Sequence, residues 1–288
     1  MNDFLLSILL GIVEGLTEFL PVSSTGHLRL VEALCHLNLQ DSFWKMYTIV
    51  IQLGAILALP VYFWNRILKF LATFPKGERG DRNFITHPLS LTIVAFIVTA
   101  LPAFALTKVI GKNLESLWVI SLSLLIGGIV MWIVDAVFTR PRVTHMEEMT
   151  LFQAIWIGVC QIFSAVFPGT SRSMSTIAGG QIAGLSRPAA LEFSFFLSMP
   201  TMAVAVLYDL YKTLKPSHGV TEENLAPLAM DTHGWIVLAI GFVVSFIVAL
   251  AVVAWFMNWV RSRGFTPFAI YRITLGIVLI VLLMRHSV

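Results

Sequence analysis

Gly11-Ile12-Val13-Glu14-Gly15-Leu16-Thr17-Glu18-Phe19-Leu20-Pro21-Val22-Ser23-Ser24-Thr25 sets two carboxylates and a proline inside an otherwise apolar run. A second stretch follows the same pattern. Gly158-x-x-Gln161 leads to Pro168-Gly169-Thr170-Ser171-Arg172, so both copies run three residues from glycine to acid or amide and seven more to proline. A hydroxyl-rich triplet begins two residues later, at Ser23 in one copy and Thr170 in the other. Each copy also precedes three long apolar stretches, which favours a duplication.

The solvent for these stretches is lipid. Of 288 residues, 57% are hydrophobic and 12% charged, with a mean hydropathy of +0.85. A water-soluble domain carries about 25% charged residues, so this chain lacks the polar surface that water requires. The net charge is +3 and the basic residues lie in short loops, which argues against nucleic acid as a partner. Met1-Asn2-Asp3 has no positive n-region and Glu14 interrupts the apolar run, so no signal-peptide cleavage is expected. Cys35 and Cys160 sit in apolar segments without ligand spacing and read as small buried hydrophobes.

Six stretches suit full spans: Tyr47–Trp64, Pro88–Thr107, Leu117–Val134, Phe193–Tyr208, Gly234–Val260 and Gly264–Met284. The fourth is short unless it starts near Pro188 and takes in Glu192. Residues 4–37 and 151–186 are apolar but broken at proline, and read as re-entrant helix hairpins. The expected fold is therefore an all-α polytopic membrane protein, one integral membrane domain with an inverted-topology repeat. Repeat 1 covers residues 1–138 and repeat 2 residues 150–288. Three spans separate the copies, and an odd number inverts the second. Arg66, Lys69, Lys76, Arg79 and Arg82 make the loop after the first span the most basic, hence cytoplasmic. Alternation puts Arg140, Arg142, Arg261 and Arg263 on that side too. The 212–233 segment, with Glu222, Glu223 and Asp231 against Lys212 and Lys215, falls outside, as do both termini.

A backbone break at membrane depth survives only where protein or a water-filled cavity satisfies it. Each break precedes a new half-helix, with Ser23/Ser24 or Thr170/Ser171 as N-caps. Two such N-termini facing each other present free N–H groups and positive dipole ends, which suit a phosphate. Arg172 adds a planar fork of donors. Glu14, Glu18 and Arg172 each cost about 2.5–3.5 kcal/mol at a membrane centre and count as functional by default. Glu14 and Glu18 share a helical face, so Arg172, a divalent cation or a shared proton must lie between them. A buried ion pair that only locks the hairpins together is the blander reading. Ser24 and His27, three apart, form a candidate nucleophile pair beside the carboxylates; capping and a satisfied histidine are the alternative. Ser173 and Thr176 suit phosphate oxygens, or ordinary interhelical bonds. His36, His87, His145, His218, His233 and His286 lie near span ends or in loops and attract no such reading.

The stretch Glu14 to His27 resembles the acidic E-x-x-x-E motif and serine–histidine continuation of bacterial undecaprenyl-diphosphate phosphatases, also called bacitracin-resistance proteins. Pro168 to Thr176 resembles that family's P-G-x-S-R-S-x-x-T motif. The similarity runs along nearly the whole chain, including Val50-Ile51-Gln52-Leu53-Gly54 and Pro267-Phe268-Ala269-Ile270-Tyr271-Arg272. The resemblance implies hydrolysis of undecaprenyl diphosphate to the monophosphate, which recycles the carrier lipid for peptidoglycan synthesis and confers bacitracin resistance. It also implies paired re-entrant hairpins, residence in the bacterial cytoplasmic (inner) membrane, a site open to the outer face and support from a divalent cation, Mg²⁺ or Ca²⁺.

The expected chemistry has Ser24 attacking the terminal phosphorus while Glu18 or His27 takes its proton and Arg172 holds the phosphoryl oxygens. His27 as nucleophile is the variant. Glu14, Ser23, Thr25, Ser171, Ser173 and Thr176 complete the expected substrate contacts, and Glu14 with Glu18 could hold the cation. Expected partners are the polyprenyl diphosphate, membrane lipid and, left open, a second copy of the chain. A secondary transporter or lipid flippase for an anionic substrate would share the broken helices, but has no use for Ser24 and His27. The type-2 phosphatidic acid phosphatases do not fit. Ile133 and Gly180 stand where their lysine should precede Arg140-Pro141 or Arg187-Pro188, and Ala178 stands where their histidine should follow Arg172.

Overall fold

The computed structural model describes residues 2–37, 42–113, 116–214 and 231–286. Six of its helices are long and apolar enough to cross a membrane: Phe43–Tyr62, Pro88–Ala105, Leu117–Val137, Arg187–Tyr211, Thr232–Ser262 and Thr266–Arg285. The chain is a multi-pass membrane protein of all-α class. Its fourth span opens at Arg187 and includes Glu192, whose carboxylate meets Arg66 Nε at 2.8 Å.

In chain order the helices are α1 (Asp3–Thr17), α2 (Ser24–Leu34), α3 (Ser42–Tyr62), α4 (Trp64–Thr73), α5 (Pro88–Ala105) and α6 (Thr107–Asn113). They continue with α7 (Leu117–Val137), α8 (Leu151–Val166), α9 (Arg172–Ile182), α10 (Arg187–Leu214), α11 (Thr232–Ser262) and α12 (Thr266–His286). The two broken regions are thus the helix pairs α1/α2 and α8/α9. The short helices α4 and α6, not anticipated from the sequence, extend α3 and α5 past their span ends. Most of the expected outer segment, including Lys215, His218, Glu222 and Glu223, lies outside the described residues. Cys35 and Cys160 are free thiols and only partly buried.

Packing crosses between the halves. α1 lies along α11, α8 along α5, α3 along α11 and α7 along α12. The glycines that open both copies of the pattern explain the first two contacts. A Cβ on Gly11 would stand 2.9 Å from Gly241 O, and one on Gly158 would stand 2.6 Å from Ala95 O. Neither position tolerates a side chain, so each glycine lets its helix touch a neighbour's backbone. Thr99 Oγ1 uses that proximity to donate to Gly158 O at 2.8 Å. At one end of the bundle, buried Asp135 accepts from Arg187 Nε at 2.6 Å and from the Phe265 N–H at 2.9 Å. It joins α7 and α10 to the start of α12.

Gly158→Ala is expected to lower the melting temperature of the purified protein, at a cost of about 1–3 kcal/mol from overpacking. Gly111→Ala, where an added Cβ meets nothing within 4 Å, serves as the control. Equal melting temperatures for the two variants would refute the close-contact account.

Candidate functional site

The site forms where the two helix breaks meet. α1 ends as the Glu18 N–H closes on Glu14 O at 3.0 Å, which keeps both carboxylates on one helical face. The chain then turns through Pro21 and restarts at Ser24. Ser23 caps the new helix at φ 75°, its Oγ accepting from Gly26 N at 3.3 Å. The second break runs through Pro168 and Gly169 (φ 93°) to Ser171. Ser171 caps α9 at φ 70°, its Oγ accepting from Met174 N at 3.4 Å. A left-handed conformation costs a non-glycine residue about 1–3 kcal/mol and persists only where its surroundings enforce it.

These caps shift the correspondence between the copies by one residue. Sequence alone aligns Ser23 with Thr170, whereas the structure matches the caps Ser23 and Ser171. The second copy has one more residue between proline and cap, accommodated by the turn at Gly169. Ser24 and Arg172 are therefore the equivalent first residues of α2 and α9, and both reach the same carboxylate. Ser24 Oγ donates to Glu18 Oε2 at 2.5 Å, and Arg172 Nη2 donates to Glu18 Oε1 at 3.2 Å. Four positions past each cap, His27 Nδ1 bonds Ser23 O at 2.7 Å and Ser175 Oγ donates to Ser171 O at 3.2 Å.

Two groups beside this trio lack partners. Glu14 is fully buried beside Glu18 and Arg172, and neither of its carboxylate oxygens has a hydrogen-bond partner among the described residues. Arg172 Nη1 is likewise buried and unpaired. Buried polar atoms are normally satisfied, so Arg172 Nη1 points to a ligand or ordered solvent, and Glu14 to one of these or to a proton shared with Glu18. The first-turn N–H groups of α2 and α9 add further donors that no intrahelical carbonyl can reach.

The remaining candidates are placed less uniformly. His27 does not bond to Ser24; with Nδ1 on Ser23 O, its Nε2 lies 2.6 Å from the Tyr271 hydroxyl. Ser173 is buried and donates to Leu20 O at 3.0 Å, which ties the second break to the first. Ser171 Oγ lies 3.0 Å from Ser173 Oγ. Thr176 turns away from the breaks and pairs with Ser194 Oγ on α10 at 2.6 Å. Thr25 is half-buried on the first turn of α2.

Arg272 is the residue the sequence reading passed over. It is fully buried, and its guanidinium donates to Pro21 O at 3.1 Å, Gly169 O at 3.0 Å and Ser123 O at 3.2 Å. One side chain thus serves carbonyls of both breaks. The signal was available, since an arginine within an apolar span is functional by the same argument that singled out Arg172. Tyr271, its neighbour, gave no such signal.

A family model described as bacitracin resistance protein BacA matches residues 7–278. The chain is 64% identical over 278 residues to a protein named undecaprenyl-diphosphatase from Koribacter versatilis, covering 96% of this chain and 97% of that protein. It is 38% identical to an undecaprenyl-diphosphatase from Bradyrhizobium diazoefficiens, at 96% coverage of each. It is also 38% identical to one from Caldanaerobacter subterraneus subsp. tengcongensis, covering 100% of this chain and 99% of that protein.

Arg272→Met would leave three buried carbonyl groups without that donor, each costing about 1–3 kcal/mol. The variant is expected to melt well below the wild type. Arg272→Lys is expected to rescue it only in part, because an ammonium lacks the planar fork. Wild-type stability in the methionine variant would contradict this role.

Proposed function

The chain belongs to the bacitracin resistance protein family, and we propose that it hydrolyses undecaprenyl diphosphate to undecaprenyl phosphate and inorganic phosphate. This activity recycles the carrier lipid for peptidoglycan synthesis and withdraws the diphosphate that bacitracin would sequester. The observation that carries the proposal is the arrangement around Glu18, with Ser24 Oγ on one oxygen and Arg172 on the other. A carboxylate bonded to a serine hydroxyl is a base in contact with its nucleophile. A transporter would gain nothing from that contact.

In the proposed reaction Ser24 Oγ attacks the terminal phosphorus and its proton passes to Glu18 Oε2. The phosphorus–oxygen bond to the leaving polyprenyl phosphate breaks. That leaving group is a phosphate monoester with a second pKa of about 6 and needs little general-acid help. Arg172 Nη1 and the N–H groups opening α2 and α9 hold the phosphoryl oxygens as charge shifts toward the leaving group. Water then cleaves the phosphoseryl intermediate and Ser24 regains its proton. The bonds of His27 to Ser23 O and Tyr271 favour Glu18 over His27 as the base. His27 then holds the turn that presents Ser24.

Glu14 and Glu18 also suit a divalent cation. Mg²⁺ is commonly held by one or two carboxylates together with substrate phosphates, and the unpaired oxygens of Glu14 fit that use. No group of three or more His, Cys, Asp or Glu side chains capable of holding a metal occurs among the described residues. The diphosphate would therefore complete the site, and the ion would neutralise its charge.

The proposed architecture has α1/α2 and α8/α9 as re-entrant hairpins in two inverted repeats, residues 1–138 and 150–288. The exchanged contacts α1–α11 and α8–α5 support it, as do the matched caps Ser23 and Ser171. The basic loop at residues 66–82 faces the cytoplasm, and the site opens to the outer side of the cytoplasmic membrane. The polyprenyl tail enters it from lipid.

Phosphate release from undecaprenyl diphosphate by the purified protein is expected to fall by about 10²–10⁴ in Glu18→Gln, the usual span for loss of a general base. Ser24→Ala and Arg172→Ala should abolish it without loss of fold. Release that survives Ser24→Ala but fails in His27→Ala would transfer the nucleophile to His27. A wild-type protein inactive with and without Mg²⁺ or Ca²⁺ would sink the phosphatase reading. Chelation should suppress release and either ion restore it, with Glu14→Gln requiring more metal; release indifferent to chelator would remove the cation from the account.

A further inference from the structure

Lined by none of the residues of the paired breaks, a cleft of about 280 Å³ lies between the basic loop and α4. Four Arg or Lys side chains and four Asp or Glu side chains line it, so its formal charges balance. Two polar atoms of its lining are buried and unsatisfied among the described residues. Arg66 Nη1 takes a carboxylate oxygen of Glu147 at 2.6 Å, while Glu147 Oε2 has no partner among the described residues. His87, fully buried at the start of α5, accepts the Leu89 N–H on Nδ1 at 3.3 Å. In a neutral ring so bonded, Nε2 carries the proton, and that buried N–H has no acceptor. Burial, with the Arg82 charge second, holds His87 below the ordinary imidazole pKa, which keeps the ring neutral near pH 7.

One cleft therefore contains a buried donor without an acceptor and a buried acceptor without a donor. An anion alone would satisfy only the first and gain little from a balanced lining. A ligand carrying both a phosphate and an ammonium satisfies both. The surface beside the cleft indicates where such a ligand resides. α4 exposes Trp64, Leu68 and Leu71 on one stripe, and Phe74, Phe84 and Ile85 are exposed nearby. All six lie outside the spans. Exposed apolar side chains gathered in this way mark contact with membrane or partner, and a helix with an apolar stripe and a basic opposite face lies in the lipid headgroup layer.

We propose that the cleft seats the headgroup of an aminophospholipid of the phosphoethanolamine type. Its phosphate meets the His87 Nε2–H and the Arg82 guanidinium, its ammonium meets Glu147 Oε2, and its acyl chains lie along Trp64, Leu68 and Leu71. The inference rests on the membrane topology proposed above and not on the phosphatase chemistry.

Native mass spectrometry of the full-length protein, equilibrated with equal amounts of phosphatidylethanolamine, phosphatidylglycerol and phosphatidylcholine, tests it. The wild type should retain the ethanolamine lipid about tenfold over the choline lipid, as expected for one charge-assisted hydrogen bond that a quaternary ammonium cannot make. His87→Asn keeps an acceptor for the Leu89 N–H but is too short to present the donor, and Glu147→Gln removes the charge. Both should bring retention close to parity while melting temperature and phosphate release stay near wild type. Equal retention by the wild type, preference for phosphatidylglycerol, or a preference surviving in both variants would overturn the proposal. An inactive wild type that still selects the ethanolamine lipid would refute the phosphatase reading and leave this one standing.

Discussion

A membrane offers no water to satisfy an interrupted helix, and in the proposed re-entrant arrangement the donors Arg272 supplies to Pro21 O and Gly169 O meet that constraint at both breaks together. Without such donors, freed carbonyl groups in an apolar surrounding favour straightening the chain or opening it to solvent. A single guanidinium on α12 holds the two breaks in register and fixes the spacing between α2 and α9. Ser173, donating to Leu20 O, adds a second tie across the same junction. The site is thus assembled by backbone satisfaction before any catalytic group is considered.

In the proposed reaction Glu18 turns that junction into chemistry. It lies one step past the end of α1, and the equivalent first residues of the two half-helices converge on its two oxygens. The near-symmetry of the halves stops there, because one contributes a hydroxyl and the other a guanidinium. A similar divergence occurs at Glu14 and Gln161. Both are buried, yet only Glu14 is an ionisable group. In the proposed repeat the helix N-termini of both copies meet at this junction, and the differences between the copies divide the proposed nucleophile and base from the proposed phosphate holding.

Much of this was legible in the sequence. Hydropathy located all six spans, with the Arg187 start of the fourth foreshadowed by the shortness of its uncharged part. The two prolines located the breaks, and intramembrane charge singled out Glu14, Glu18 and Arg172. The register of the second break was not legible, because an extra turn residue at Gly169 leaves the spacing of the hydroxyl triplet unchanged. The partner of His27 was hidden for a different reason. Ser24 lies three residues away on the same helix, whereas Tyr271 lies 244 residues away and meets the ring only through tertiary packing. Thr176 looked equally suited to phosphate or to a neighbouring helix, and only the position of Ser194 distinguishes the two. Arg272 was visible as an intramembrane charge, but its targets are backbone carbonyls, which no side-chain pattern reports.

The central claim is that the hydroxyl held by Glu18 forms the bond to phosphorus, and trapping that bond tests it most directly. Purified protein would be mixed with undecaprenyl diphosphate labelled on the terminal phosphate, quenched in acid during turnover and digested for peptide analysis. The account predicts an acid-stable phosphoryl group on Ser24, lost in Ser24→Ala and slower to appear in Glu18→Gln. Turnover accompanied instead by an acid-labile, alkali-stable label on His27 would contradict it.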